Sequence, residues 1–417
     1  MRKNIWIVNH YATKMFTDQG GRHYWLAREL KKLGYEPVVF CASTIHNTDR
    51  SIDLGSAEFI VKKAEDVPFV FLKAPAYHGN GVSRFKNMLT FTAQWAKHIP
   101  EFLLRFGRPD IIYASSVHPF SVDAAIREAH KLGIPCLAEF RDLWPDVLVG
   151  MGALSKHHPL TLLLAHLERK ICKTADGIIF TMQGGKDYLK HKGYDRFVNM
   201  DKVFYLNNGV DLAAFDENAR KYPAVDPDLD DAGTFKVVYT GSIRRSYQLD
   251  MLLDAAKIVA ERGEQNIRFL CWGQGDELER LRARAEQEKI DNVVFKGGVS
   301  RYEIPVILCR SDCNIIHCEE LVGSEYGVSF IKLFDYLAAG KPIISTVQMG
   351  YNLLDSAHCG LTAQAHDAAH IADCVVQMSC LSSAERARMG ENARTAAQEY
   401  DVHTLAKRLA EMVENKY

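Results

Sequence analysis

The sequence predicts an α/β protein built as two Rossmann-like, doubly wound parallel-sheet lobes facing a central cleft. Short apolar runs alternate with helix-period segments along the whole chain, the pattern of a parallel sheet wrapped by helices. That pattern restarts after a loop at 222–234 rich in Pro, Asp and Gly, and 417 residues are too many for one ordinary core. Open α/β sheets bind ligands outside the C-terminal ends of their strands, so chemistry is expected at the cleft.

The first lobe, assigned to 1–206, opens with a strand at 5–8 and a helix over 21–33 that stops at Gly34. Further strands are predicted at 38–41, 111–114, 136–140, 177–181 and 203–206, with helical stretches between them. The second lobe, assigned to 207–397, repeats the opening theme of a strand running into a glycine turn at 236–241. Its later strands are expected at 267–272, 293–296, 314–317 and 342–345. A last helix, within 398–417, is expected to pack back on the first lobe.

Composition excludes several function classes. With 51 basic and 52 acidic residues there is no global polycation to hold a nucleic-acid backbone. Ten cysteines are scattered without the spacing of a disulfide framework, which suits reduced thiols in the cytoplasm. The one cluster, Cys309, Cys313, His317 and Cys318, matches no common zinc spacing, so no metal is expected. The chain enters a strand almost at once, without a signal-peptide pattern. No run of about 18 apolar residues occurs, so nothing is expected to span a bilayer.

Glycine turns carry the anion-binding candidates. A turn from Gly323 to Gly327 leads into a helix that stops at Gly340, with Pro342 barring its continuation. The first free amides of that helix, near Gly327, Val328 and Ser329, are the expected seat for a diphosphate. Lys332 and Asp335 are three apart and share a helix face. There they offer a cation for phosphate and a carboxylate for sugar hydroxyls; the bland alternative is a capped helix with a solvated Lys–Asp pair. Gly20-Gly21 follows the first strand of lobe one, and Gly241-Ser-Ile-Arg244-Arg245 the first strand of lobe two. Dinucleotide binding is disfavoured, because Gly273-Gln-Gly275-Asp-Glu277 is not completed by the third glycine of GxGxxG. Neither a P-loop nor a Gly-x-Ser-x-Gly elbow occurs.

These motifs, in order, resemble glycosyltransferase family 4, retaining enzymes with the GT-B fold. The ordered set is Gly20-Gly21, Asn208-Gly-Val-Asp211, Val238-Tyr-Thr-Gly-Ser242, Gly273-x-Gly275, Asn292-Val-Val-Phe-Lys-Gly297 and Asp335-Tyr-Leu-Ala-Ala-Gly-Lys-Pro342. Glu139-Phe-Arg-Asp-Leu-Trp-Pro-Asp146 resembles the branch that builds bacterial capsule, O-antigen (lipopolysaccharide) and exopolysaccharide units. The resemblance implies transfer of a hexose or N-acetylhexosamine from a nucleoside-diphosphate sugar, UDP-linked by expectation. The acceptor would be a glycan or a polyprenyl-diphosphate-linked sugar. It implies that Gly21 approaches donor phosphate or acceptor and that His118 contacts the transferred sugar. Arg244 or Arg245 would face the departing diphosphate, Gly298 and Val299 would hold the base through their backbone, and Asp335 would bind the ribose hydroxyls. Two alternatives share the fold: a nucleotide-sugar epimerase, and a silent homologue serving as a scaffold.

Two departures stand out. The first acidic position of the family's motif falls on Gly327, with Glu325 the nearest carboxylate, and the usual Lys-Gly after the lobe-two turn is Tyr247-Gln248. Some members carry a glycine-to-lysine variant of the kind seen from Gly327 to Lys332. Metal-free stabilisation of the leaving group would rest on the helix amides, Arg244 or Arg245, and Lys332.

Elsewhere, Asp226-Pro-Asp228 resembles a metal-binding DxD but is expected to be a solvated loop. The stretch 83–108 sets Phe85, Met88, Leu89, Trp95, Phe102, Leu103 and Phe106 among Arg84, Lys86, Lys97, Arg105 and Arg108. It is expected either to pack on the lobe-one sheet or to touch the inner membrane peripherally.

Overall fold

The computed structural model describes residues 3–416 except 47, 49, 80, 117, 319–321 and 365–366. It divides into two units, Met1–Asn207 with Val402–Tyr417, and Asn208–Asp401. Among the described residues, the first unit carries β1 (Asn4–Val8), β2 (Glu36–Ala42), β3 (Phe59–Ala64), β4 (Val67–Leu72), β5 (Ile111–Ser115), β6 (Cys136–Phe140), β7 (Gly177–Phe180) and β8 (Val203–Tyr205). They form one sheet in the order β3-β4-β2-β1-β5-β6-β7-β8, parallel throughout except for the β3–β4 hairpin. Interior strands such as β1 and β6 are covered on both faces and read as unbroken apolar runs, which is why the sequence reveals them.

The β3–β4 hairpin was not anticipated. β3 lies at the sheet edge, and its exposed Lys62 and Lys63 break the apolar signal while guarding an open edge against pairing. The helix Val402–Lys416 lays Leu405, Ala406, Leu409, Ala410 and Val413 onto the first unit's core, at helical spacing. Tyr35 and Lys3 fasten it through Glu414 (2.6 Å) and the Val413 carbonyl (3.2 Å).

The stretch 83–108 forms two helices, Val82–Lys97 and Ile99–Phe106. Met88, Phe91, Trp95 and Phe102 are buried, so most of the apolar face expected to be available to a membrane is occupied by the core. Phe102 packs on Phe40 (4.9 Å between centroids), which in turn packs on Trp6 (5.1 Å). No helix among the described residues is long and apolar enough to cross a membrane.

The second unit carries β9 (Phe235–Thr240), β10 (Ile267–Trp272), β11 (Val293–Gly297), β12 (Cys313–Ile316), β13 (Ile343–Ser345) and β14 (Gly360–Thr362), all parallel, in the order β11-β10-β9-β12-β13-β14. β14 was also unanticipated, since three residues are too few for a readable pattern. The Asp226-Pro-Asp228 segment is not a solvated loop. Asp226 caps the helix Pro227–Asp230, and the carboxylates of Asp226 and Asp228 both bind Lys296 of β11, Asp226 at 2.8 Å. The acidic pair therefore anchors the unit's opening segment to its sheet.

Strand order places one topological switch point in each unit. β1 lies between β2 and β5, and β9 between β10 and β12, so successive connections leave on opposite sides there. The loops that diverge at such a point open a crevice outside the C-terminal strand ends, the usual ligand seat of this architecture.

Candidate functional site

In the second unit the switch-point loops gather the cationic and glycine-bearing residues. The turn after β9 begins at Gly241, and Lys332, in the second position of the helix Ile331–Ala338, reaches back to it. A Cβ built on Gly241 would stand 2.7 Å from Lys332 Nζ, so glycine is what lets the ammonium close on the turn. Tyr239 and Tyr247 flank the cation, with ring centroids 4.7 and 4.5 Å from Nζ, and Lys332 donates to the Tyr239 hydroxyl at 3.3 Å. Burial pushes the Lys332 ammonium down to about 8. Tyr247, a departure from the family pattern, thus forms half of an aromatic cage around the one cation that the turn receives from this helix.

Asp335 sits one turn further along the same helix but does not pair with Lys332. Burial pushes its carboxyl up to about 7, and Arg301, in the loop after β11, only partly offsets that. The two side chains thus have different neighbours, Lys332 the β9 turn and Asp335 the Arg301 charge of the β11 loop, and the alternative of a solvated Lys–Asp pair is not what forms. Tyr336, the next residue after Asp335, turns inward, where its hydroxyl accepts from the Thr240 amide at 2.9 Å.

The helix begins later than its glycine turn suggests. Gly323 and Gly327 bracket a 3₁₀ turn, Ser324–Tyr326, and the helix proper starts at Ile331 after an extended Phe330. Gly327, Val328 and Ser329 are therefore a linker and not the first helical amides. Gly327 has φ 101°, where a side chain is strained, which gives a backbone reason for glycine at the family's acidic position. Glu325 is exposed on the 3₁₀ turn, unlike the mostly buried Lys332 and Asp335. Asn208 fixes the linker by donating to Ser329 O (2.7 Å) and to Ser329 Oγ (2.9 Å).

Arg244 and Arg245 are exposed beside this turn, Arg244 near enough to act on the Tyr247 hydroxyl. Gly298 and Val299 are exposed just past β11, and a Cβ on Gly298 would meet the Gln274 side chain at 2.5 Å. The Gly273-x-Gly275 pair has a packing role: Cβ atoms there would lie 1.8 Å from Gly241 O and 1.9 Å from Ile243 O. Gly275→Ala is accordingly expected to destabilise the second unit by about 1–3 kcal/mol through overpacking, read as a lower urea midpoint.

In the first unit the switch point holds two histidines. His10 follows β1, His118 follows β5, and both are fully buried. His10 Nδ1 and His118 Nε2 are 2.8 Å apart. Burial pushes His118 down to about 3, with the Arg84 charge adding to the effect. His118 lines a small cavity together with Ser116, Glu139, Asp142 and Trp144. Gly21, with φ 101°, caps the helix Arg22–Lys32, and only glycine sits there without backbone strain.

Below these residues Glu139 accepts from Arg22 Nε (2.7 Å), Ser115 Oγ (2.6 Å), His23 Nε2 (3.1 Å) and the Tyr113 hydroxyl. Arg22 also donates to the carbonyls of Leu206 (2.7 Å) and Asn207. Burial alone would push the Glu139 carboxyl up, but Arg22, with His23 and Arg141, holds it well below the usual range. Sequence reasoning missed His10, Arg22, Tyr239 and this role of Glu139. Their only local signal is a polar or aromatic side chain at or just past a strand's C-terminal end, or at a glycine-capped helix start.

Comparison with known proteins identifies the fold and family. The description "Glycosyltransferase Family 4" matches residues 24–214, and "Glycosyl transferases group 1" matches residues 234–380. TuaH of Bacillus subtilis (strain 168), assigned by name to teichuronic acid biosynthesis as a glycosyltransferase, is 24% identical over 313 residues, covering 70% of this chain and 75% of TuaH. The sucrose-phosphate synthase of Thermosynechococcus elongatus aligns over 99% of both chains at TM-score 0.72 and 17% identity. Anabaena HepE, solved in complex with UDP and glucose, aligns over 99% of this chain and 100% of that one at TM-score 0.65 and 13% identity. With family matches in both units, in chain order, and two parallel-sheet α/β lobes, the chain belongs to the family 4 and group 1 glycosyltransferases of the GT-B fold.

Proposed function

We propose that this glycosyltransferase moves a hexose or N-acetylhexosamine from a UDP-sugar to a glycan or polyprenyl-diphosphate-linked acceptor, with retention of configuration and without a metal. The pathway class is bacterial cell-surface polysaccharide synthesis on the cytoplasmic side, supported by the likeness to TuaH and by the Glu139–Asp146 segment. The observation that carries the donor reading is Lys332, a mostly buried cation held between two tyrosine rings and presented to the glycine turn at the second unit's switch point.

Breaking a glycosyl–phosphate bond puts negative charge on the leaving diphosphate and positive charge on the sugar ring. In this scheme Lys332 meets the diphosphate, with Arg244 or Arg245 closing from the exposed side of the turn. A cation held in place before reaction stabilises developing charge without reorganising. Asp335 takes the ribose hydroxyls, Gly298 and Val299 meet the base, and Ser329 and the linker around Gly327 and Val328 lie along the phosphates. His118 and Gly21 belong to the sugar and acceptor side. Contact with the inner membrane would involve 83–108, where Leu89 and Leu104 remain exposed near Arg84, Lys86, Arg105 and Arg108.

Calorimetry with UDP, GDP, TDP and ADP in excess chelator tests the donor site. Binding of one diphosphate, UDP by expectation, supports the reading; no heat with any of the four removes it. Incubation with the matching UDP-sugar, with and without lipid-linked acceptor in anionic vesicles, then separates transfer from epimerisation, which needs no acceptor.

A further inference from the structure

The sequence offers His317 only as a member of a Cys–His cluster, and the structure gives it other partners. It stands one residue past the C-terminal end of β12 and is buried. Its ring bridges two neighbours. Nε2 lies 3.0 Å from the Gln248 carbonyl oxygen, and Nδ1 lies 2.7 Å from Oγ1 of Thr346, the residue just past β13. A carbonyl only accepts, so Nε2 carries a proton and donates it. Thr346 is itself held in place, its amide donating to the Ile316 carbonyl at 3.0 Å.

Gln248 is where the first of these bonds acts. It ends the 3₁₀ turn Arg245–Tyr247 with φ 44°, in the left-handed region that a residue with a side chain keeps when its surroundings hold it there. The Gln248 amide donates to Arg245 O at 3.2 Å and the Tyr247 amide to Arg244 O at 2.9 Å, so the turn closes on itself up to this residue. The Gln248 carbonyl receives two donors. One is the Met251 amide at 3.1 Å, in the first turn of the helix Asp250–Glu261. The other is His317, 69 residues away, which ties the turn to the sheet. Tyr247, the residue just before Gln248, is partly buried against the unit's core and sets its ring centroid 4.5 Å from Lys332 Nζ. Letting Gln248 leave the left-handed region would re-aim the turn and carry that ring off the cation.

We infer that His317 is a positioning residue of the diphosphate site: it clamps the Gln248 carbonyl, fixes the left-handed turn, and so sets the Tyr247 ring against Lys332. A cation confined between two rings keeps its direction before any ligand arrives, and a charge oriented in advance stabilises developing charge without reorganising. The consequence for nucleotide binding rests on the proposed reading of Lys332 as the diphosphate cation. The clamp itself is a property of the free protein. A role in packing alone would need the bulk of His317 and its contact with Thr346, but not the bond to Gln248, so side-chain length separates the two.

Three substitutions make the test. His317→Gln is long enough to return an amide donor near the former Nε2, His317→Asn reaches only the former Nδ1 beside Thr346, and His317→Phe keeps the bulk and offers neither. In full-length protein labelled with ¹³C-lysine, the Lys332 ε-methylene reports the cage, because protons over a ring face resonate upfield; its signal is assigned by its loss in Lys332→Met. The signal is expected upfield in the unmodified protein and in His317→Gln, and shifted towards the position of exposed lysines in His317→Asn and His317→Phe. Calorimetry with UDP should show binding about 3- to 30-fold weaker in the Asn and Phe variants, the range that a cation–ring contact covers, and nearly unchanged in the Gln variant. An unmoved Lys332 signal in His317→Phe, or equal behaviour of the Gln and Asn variants, would overturn the assignment. Should His317→Phe not fold, the comparison of Gln with Asn decides. Should the unmodified protein bind no UDP, the transferase reading fails while the lysine signal still decides the clamp.

Discussion

Lys332→Ala is expected to weaken UDP binding about 10- to 150-fold, the worth of one charge-assisted hydrogen bond of about 1.5–3 kcal/mol. Turnover should fall further, by about 10²–10³, if the same cation stabilises the leaving diphosphate. Titration calorimetry and initial rates read the two effects separately. A distinctive pH profile goes with them. Lys332 is charged below about 8, so affinity should drop as pH rises through that value. Asp335 is ionised above about 7, so affinity should also drop as pH falls through that one. Lys332→Ala removes the alkaline limb and Asp335→Asn the acid limb; a profile left intact in either variant would exclude that residue from the site.

The same shifts predict a trade of stability for function. The penalty for burying the Lys332 ammonium is fully present below about 8 and is relieved as pH rises from there towards its ordinary 10.5. For Asp335 the penalty is absent below its ordinary 3.8 and fully present above about 7. At pH 7, then, Lys332→Met should melt above the unmodified protein, by about 2–4 °C for each kcal/mol relieved, while losing UDP binding.

Glu139→Ala is expected to cost the first unit about 3–5 kcal/mol, because it strands the buried Arg22 guanidinium without a counter-charge. Equilibrium urea unfolding followed through the first unit's tryptophans would show it as a lowered midpoint. The carboxyl is held well below its ordinary value, so its contribution is in place above about 4.5 and is lost only as pH falls further, through the depressed value. The unmodified unit should hold in mild acid, and Glu139→Gln, which keeps the shape but not the charge, should retain only part of the stability.

Much of this protein was legible before any coordinates. Interior parallel strands such as β1, β6 and β10 are buried on both faces, so their apolar runs need no partner information to be seen. The glycine turns mark strand ends, and with the strand order they locate both switch points. The edge strand β3 escaped because its outward lysines erase the pattern that burial imposes elsewhere. Asp226 and Asp228 were misjudged because their partner, Lys296, lies about 70 residues away and nothing local announces it.

The sequence by itself determined the βα alternation, the two lobes, the glycine-bearing strand ends and the family, since all of these depend on the order and periodicity of neighbouring residues. Only the tertiary structure decided what each polar side chain meets. The cage of Tyr239 and Tyr247 around Lys332 and the contact of His10 with His118 join residues far apart in the chain. Those juxtapositions follow from how helices settle on the sheets, and a hydrogen bond or a desolvated charge takes its value from that geometry and not from the residue type alone.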